Sequence, residues 1–306
     1  MSRAEARMSG KVYVVFGATG HVGEVVARRI VETGRRVRVV ARSAAGLAPL
    51  ARAGAEPVVG NVEDPELVRR ALDGAGAAFV LLPPYAGPGI RAWQDRVAGL
   101  LADGLDAARV PYAVALSSIG AQHASGNGPI AGLHALEQRL ERVPALSTLH
   151  LRPGYFFENY LGAIALVRSA GMYGDAISAD LRVQQIAAVD VGEAAARRLL
   201  ALDWRGHEVQ ELHGERDLTM PEATRALGEA IAKPELAYVE FPYAEAQAAL
   251  VAAGLPEELA ASYVELARGL NEGRIRPTQP RSAATATPTP IEAWARDVFA
   301  PAYRGA

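Results

Sequence analysis

Through the first half of the chain, short apolar runs alternate with longer amphipathic stretches. Residues 11–16 (KVYVVF) read as a buried strand and 20–33 as a helix. A second strand, 36–41 (RVRVVA), precedes a helix at 45–53, and a third, 56–60, precedes a helix at 65–72 that opens on proline. Residues 77–82 (AAFVLL) give a fourth strand, 91–108 a long helix and 112–117 (YAVALS) a fifth strand. Strands alternating with helices of this length predict βαβ units. The expected fold is a Rossmann-type, doubly wound α/β architecture with an open, mostly parallel sheet of six or seven strands.

The punctuation changes after residue 116. Residues 117–129 (SSIGAQHASGNGP) are rich in glycine and serine and read as a loop over the sheet edge. A helix at 130–142 and a strand at 146–151 complete the regular part. Beyond Arg152 the pattern loosens into helices near 156–169, 191–202, 221–232, 243–252 and 257–271, with short strands near 186–189, 209–212 and 237–241. The division expected is a Rossmann domain over 10–152, joined by later strands from about 185–213, then a smaller, helical substrate lobe over 153–275. The proline-rich stretch 276–290 reads as extended, and a closing helix at 291–299 puts Ile291, Trp294, Ala295 and Val298 on one face.

Composition narrows the function classes. The 306 residues carry a net charge of −2, so no basic face for nucleic acid or an anionic membrane is expected. There is no cysteine, which removes disulfides, thiolate catalysis and cysteine metal sites. No apolar run reaches the ~20 residues of a membrane span, and the opening MSRAEARMSGK lacks the apolar core of a leader; a cytoplasmic protein is expected. The six histidines show no zinc spacing, so no metal is expected. Neither a Gly-x-Ser-x-Gly elbow nor a Walker lysine is present.

The strongest motif is VVFGATGHVG, residues 14–23. Gly17, Gly20 and Gly23 fall between a buried strand and an amphipathic helix. There a tight turn, bare backbone facing a pyrophosphate and close helix packing each require glycine. The helix N-terminus then offers free N–H groups and a positive dipole end, with the Thr19 hydroxyl alongside. The next strand ends in Arg42 and Ser43, and no acidic residue stands between Glu32 and Glu56. A carboxylate there would hold the ribose 2′-hydroxyl of NAD, whereas a guanidinium and a hydroxyl suit a 2′-phosphate. NADP(H) is the expected cofactor.

These motifs, with LSSIGAQ (116–122) and LRPGYFFEN (151–159), resemble the NmrA-like proteins, atypical members of the short-chain dehydrogenase/reductase superfamily. The resemblance spans roughly residues 11–275. It implies a cofactor cleft between a Rossmann domain and a C-terminal lobe, with Gly17, Thr19, Gly20, His21 and Val22 along the pyrophosphate and Arg42 at the 2′-phosphate. It further places Asn61 near adenine, and Leu82, Pro83 and Pro84 beside the nicotinamide ribose. Ser117 and Ser118 fall at the active-site hydroxyl position, and residues from Pro153 to Phe156 against the nicotinamide. The family includes reductases of quinones, azo compounds and other carbonyl-like substrates, and regulators that bind the cofactor without turnover.

One departure is informative. Standard short-chain dehydrogenases pair a catalytic tyrosine with a lysine four residues on, the lysine making the phenol a better proton donor. The only lysines here, Lys11 and Lys233, are preceded at that spacing by Arg7 and Glu229. On the helix that would carry the pair, GLHALEQRLE, His134 is the candidate substitute. Aligning by Glu137 instead puts Leu133 at the lysine position and turns His134 toward the sheet edge or solvent. Tyr155 is a candidate phenol in the cleft or an aromatic floor to it, and Tyr85 a candidate lid. Ser118, His134 and Tyr155 are thus the candidate catalytic residues. The expected activity is NADPH-dependent reduction of a small quinone, carbonyl or azo compound. The alternative is a cofactor-sensing regulator acting through a protein partner. A small-molecule substrate is the expected partner, with a homodimer left open.

Overall fold

The computed structural model describes Met8 and residues 10–305. Its strands are β1 (Val12–Phe16), β2 (Val37–Ala41), β3 (Glu56–Val59), β4 (Ala75–Val80), β5 (Tyr112–Leu116) and β6 (Ser147–Pro153). They continue with β7 (Tyr155–Phe156), β8 (Met172–Asp175), β9 (Val183–Ile186), β10 (His207–Leu212), β11 (Asp217–Leu218) and β12 (Ala237–Glu240). The helices of the first half are α1 (His21–Glu32), α2 (Ala44–Arg52), α3 (Pro65–Leu72), α4 (Ile90–Ala107) and α5 (Ile130–Leu140). Then come α6 (Ile164–Ala170), α7 (Ala188–Ala201), α8 (Met220–Ala230), α9 (Tyr243–Ala252) and α10 (Glu257–Asn271).

The central sheet has seven strands in the order β10-β6-β5-β4-β1-β2-β3. Every neighbouring pair is parallel. Helices cover both faces of the sheet, and its central strands β1, β4 and β5 are accordingly apolar on both. Tyr13 and Val15 of β1 face the layer built by α1, α2 and α7, while Val12, Val14 and Phe16 face α3, α4 and α5. Burying a residue such as Ile30 of α1, fully enclosed in the first layer, contributes about 1.5–3 kcal/mol. The order reverses between β1 and β4, so the crevice for a ligand opens at the carboxyl ends of these strands. None of the described helices is long and apolar enough to cross a membrane.

The region after Arg152, expected to be mainly helical with short strands, carries two small sheets of its own. A three-stranded sheet β11-β9-β7 and a two-stranded sheet β12-β8 run through it. The helix expected at 156–169 is the end of strand β7, a 3₁₀ stretch over Phe157–Ala163 and then α6. In the 3₁₀ stretch Phe157 and Tyr160, three apart, both turn into the lobe core. The strand expected at 186–189 lies earlier, at β9, and pairs in the lobe; of the later strands only β10 joins the central sheet. The closing helix runs through a π-turn at Ala295–Phe299. That turn resets the helical register, so Phe299 is buried and Val298, expected on the face of Ile291, Trp294 and Ala295, faces out.

Two long-range clamps hold the C-terminal stretch. The Glu211 carboxylate of β10 accepts hydrogen bonds from the Thr278 N–H (3.0 Å), the Thr278 hydroxyl (2.8 Å), the Gln279 N–H (2.9 Å) and His213 Nε2 (3.1 Å). Asp190 of α7 likewise accepts from the N–H and hydroxyl of Thr289. The strap over 276–290 is therefore fixed against the edge of the sheet.

Candidate functional site

The glycine turn has the shape the motif requires. Gly17 sits at φ +65°, a left-handed conformation that side chains disfavour. A Cβ at Gly23 would lie 2.3 Å from the Gly17 carbonyl oxygen, so α1 packs onto the turn at a distance only glycine permits. No side chain caps α1, and its ladder begins with Glu24 N–H donating to Gly20 O at 2.9 Å. The N–H groups of His21, Val22 and Gly23 are thereby left for a ligand. Thr19, Gly20 and His21 are exposed at this end. Val22 can contribute only backbone, because its side chain is in the core. A pyrophosphate fits this cradle.

At the end of β2, Arg42 is exposed and forms no ion pair with any described residue. Ser43 caps α2, its hydroxyl oxygen accepting from Gly46 N–H at 3.1 Å, so its own hydrogen remains free to donate. The pair suits a 2′-phosphate. Asn61 is differently engaged: its side chain donates to Glu63 at 3.0 Å and accepts from the Glu63 N–H, closing the loop after β3.

Past the switch point lies a cleft of about 630 Å³. The segments following β4 and β5 supply Leu82, Pro83, Pro84, Ser117 and Ser118 to its wall, and the end of β6 and β7 supply Pro153 and Tyr155. The opposite wall is an apolar stripe along α10, Leu259, Tyr263, Leu266 and Leu270, with Ile275 beyond it. Polar lining is sparse: Gln94, Ser117, Ser118, Asn159 and Gln184, with no lysine, arginine, histidine or carboxylate among the lining residues. Tyr85 stacks on Trp93 with ring centroids 4.6 Å apart, which leaves it an aromatic edge of the cleft.

Ser117 is the anchored hydroxyl. It donates to Glu137 Oε1 at 2.5 Å, and Arg152 grips the same carboxylate with Nε (2.9 Å) and Nη2 (2.5 Å). Burial alone would push the Glu137 carboxyl up. The Arg152 hydrogen bonds, the charges of His150 and Arg152 and the Ser117 bond outweigh it and hold the group below the usual carboxylate range. The buried pair had a sequence signal, since Glu137 shares the apolar helical face of Leu133, Leu136 and Leu140. A carboxylate there asks for a buried partner.

The other candidates separate. Ser118 lines the cleft, its hydroxyl donating to Ile119 O at 3.0 Å. Tyr155 also lines it, but its phenol oxygen lies 3.3 Å from that of Tyr173, which donates to Asp175 at 3.2 Å. Burial and the Asp175 charge push the Tyr155 phenol well up, so it stays protonated. His134 does not reach the cleft: its Nδ1 bonds the Ala121 carbonyl at 2.8 Å, and Leu133 takes the lining position. The helix therefore follows the register set by Glu137, whose side chain must meet Arg152, and the imidazole is turned about 100° away from Leu133.

The NAD(P)H-binding family model matches residues 17–159. An NAD(P)H azoreductase of Xenophilus azovorans is 26% identical over 257 residues, 83% of this chain and 85% of that protein. Among solved structures, an NADPH-dependent quinone oxidoreductase from Escherichia coli, complexed with NADPH, superposes with a TM-score of 0.78 at 22% identity. That match covers 94% of this chain and 99% of the other. NmrA, a negative transcriptional regulator in complex with NADP, gives a TM-score of 0.73 at 17% identity, covering 96% and 97%. The family match marks an NAD(P)H-binding domain over residues 17–159, and along nearly its whole length the chain shares the fold of the quinone oxidoreductase and NmrA structures.

Proposed function

We propose that the protein is an NADPH-dependent reductase of a small, neutral acceptor: a quinone, an azo compound or a carbonyl. The observation that carries this reading is the cleft beside the dinucleotide turn, whose described lining holds no charged side chain. Such a wall desolvates and retains a flat apolar molecule and offers nothing to a carboxylate or phosphate on the substrate. The azoreductase and quinone oxidoreductase named above support the same class.

When bound, NADPH supplies the hydride. The chain's part is to hold the acceptor and exclude water: Leu82 to Pro84 and Pro153 form one side of the cleft, and the α10 stripe the other. Ser118 and Tyr155 are the cleft residues we assign to the acceptor. Neither is an acid of the strength a carbonyl reduction needs, since Tyr155 is held protonated and turned to Tyr173. Quinones and azo compounds fit best, because their reduced atoms take protons from water. His134, bonded to Ala121, has no part in this account.

The test is NADPH oxidation against a panel of quinones, azo dyes and aldehydes with purified protein. Turnover of quinones or azo dyes well above aldehydes is expected. NADPH binding without oxidation by any acceptor would overturn the reading in favour of a cofactor sensor.

A further inference from the structure

Resting on the reading that this cleft holds the reactive end of the dinucleotide and an acceptor, we propose that Glu137, clamped by Arg152, is a positioning residue. It fixes the Ser117 hydroxyl as a hydrogen-bond acceptor toward the cleft, where Ser117 receives a hydrogen bond from a hydroxyl or amide N–H of the bound ligand.

The inference follows from counting hydrogens. A serine hydroxyl has one to donate and two lone pairs to offer. At 2.5 Å from Glu137 Oε1 that hydrogen is committed inward, because a carboxylate can only accept. The carboxylate cannot turn away, since Arg152 holds both its oxygens in a two-pronged contact. The assembly is sealed: Ser117 is 3% exposed, Glu137 2% and Arg152 9%. Its backbone is equally fixed, with Ser117 N–H donating to Leu151 O at 2.7 Å. Yet Ser117 also lines the cleft, so what it shows a ligand is oxygen without hydrogen.

A buried ion pair is a costly way to join α5 to β6; apolar side chains of similar size do this at lower desolvation cost. What the pair adds is direction. It also divides the two neighbouring hydroxyls. Ser117 accepts, whereas the Ser118 hydrogen is held only by the Ile119 carbonyl and can swing to an acceptor atom of the substrate.

The test uses Ser117→Ala, Glu137→Gln and the double variant of the full chain, with two readouts. NADPH affinity is titrated by fluorescence, which needs no turnover, and KM is measured for a reduced quinone or azo dye. Ser117→Ala is expected to weaken one ligand about three- to tenfold, the worth of one hydrogen bond. A weaker NADPH complex assigns the donor to the dinucleotide; a raised acceptor KM with NADPH affinity intact assigns it to the acceptor. Glu137→Gln should weaken the same ligand in the wild-type background and have no further effect in the Ser117→Ala background. Loss of neither affinity in Ser117→Ala overturns the proposal, as does an equal effect of Glu137→Gln in both backgrounds. If Glu137→Gln does not fold, Ser117→Ala with rescue by Ser117→Thr decides it. Should the wild type reduce no acceptor, the functional reading fails by itself. The NADPH titration then decides this proposal: loss in Ser117→Ala supports it and no loss overturns it.

Discussion

Replacing Gly23 with alanine puts the closeness of helix and turn to work. The added Cβ would lie 2.3 Å from the Gly17 carbonyl oxygen, 2.8 Å from its carbon and 3.2 Å from Ala18 Cα, all backbone atoms with no rotamer to change. Relief requires α1 to move off the turn by roughly 0.7 Å or more, and overpacking of this kind costs about 1–3 kcal/mol. The same movement carries the His21, Val22 and Gly23 N–H groups away from the place where a pyrophosphate meets them. Gly23→Ala should therefore lower the melting temperature and weaken NADPH at least ~10-fold, more than the loss of any single neutral hydrogen bond. Gly162→Ala is the control, because a Cβ at Gly162 meets nothing within 4 Å. Fluorescence titration with NADPH and thermal unfolding of the three proteins give both numbers. Unchanged NADPH affinity in a folded Gly23→Ala variant would refute the assignment of this helix end to the phosphates.

Arg42→Ala should reduce NADPH affinity by about 1.5–3 kcal/mol, the worth of a hydrogen bond to a charged group, and leave NADH unchanged; parallel titrations check this, and equal loss for both would remove Arg42 from the 2′-phosphate. His134→Ala should leave NADPH affinity and turnover as they are, because the imidazole is occupied by the Ala121 carbonyl. The Glu211 clamp predicts a pH dependence. Burial works against its carboxylate, but His213 and the donors of Thr278 and Gln279 overcome it and pull the pKa to about 2. A depressed carboxylate adds stability that is complete above the ordinary range near pH ~4.5 and is lost as pH falls toward 2. Glu211→Gln should accordingly be less stable than wild type by ~2 kcal/mol at neutral pH, with the gap closing on acidification. Denaturant midpoints along a pH series measure it, and a gap constant with pH would refute it.

How much of this was legible depends on how local the signal is. VVFGATGHVG announces itself because strand, glycine spacing and helix lie within ten consecutive residues. The central strands of the first half were equally clear, since β1, β4 and β5, buried on both faces, are written as continuous apolar runs. The lobe was not. Tyr155–Phe156 and Asp217–Leu218 are two-residue strands, too short for any alternation to show. The cleft wall was half legible: Leu259, Tyr263, Leu266 and Leu270 recur at helical spacing, but the pattern says only that the face is apolar. Whether protein or a ligand covers it is decided by tertiary structure. The Glu137–Arg152 pair was half legible for a related reason. The apolar helix face marks Glu137 as buried, but only the fold shows that the strand fifteen residues on places a guanidinium against it.

The central claim, hydride delivery from bound NADPH to a neutral acceptor in the apolar cleft, is tested most directly without oxygen. NADPH-loaded protein is mixed with an equimolar simple quinone, and NADP⁺ and hydroquinone are quantified over time. The account predicts that they form in equal amounts, faster than in a protein-free mixture, and more slowly when Leu266→Trp, on the α10 stripe of the cleft wall, narrows the cleft. NADPH remaining bound and reduced beside unchanged quinone would contradict it.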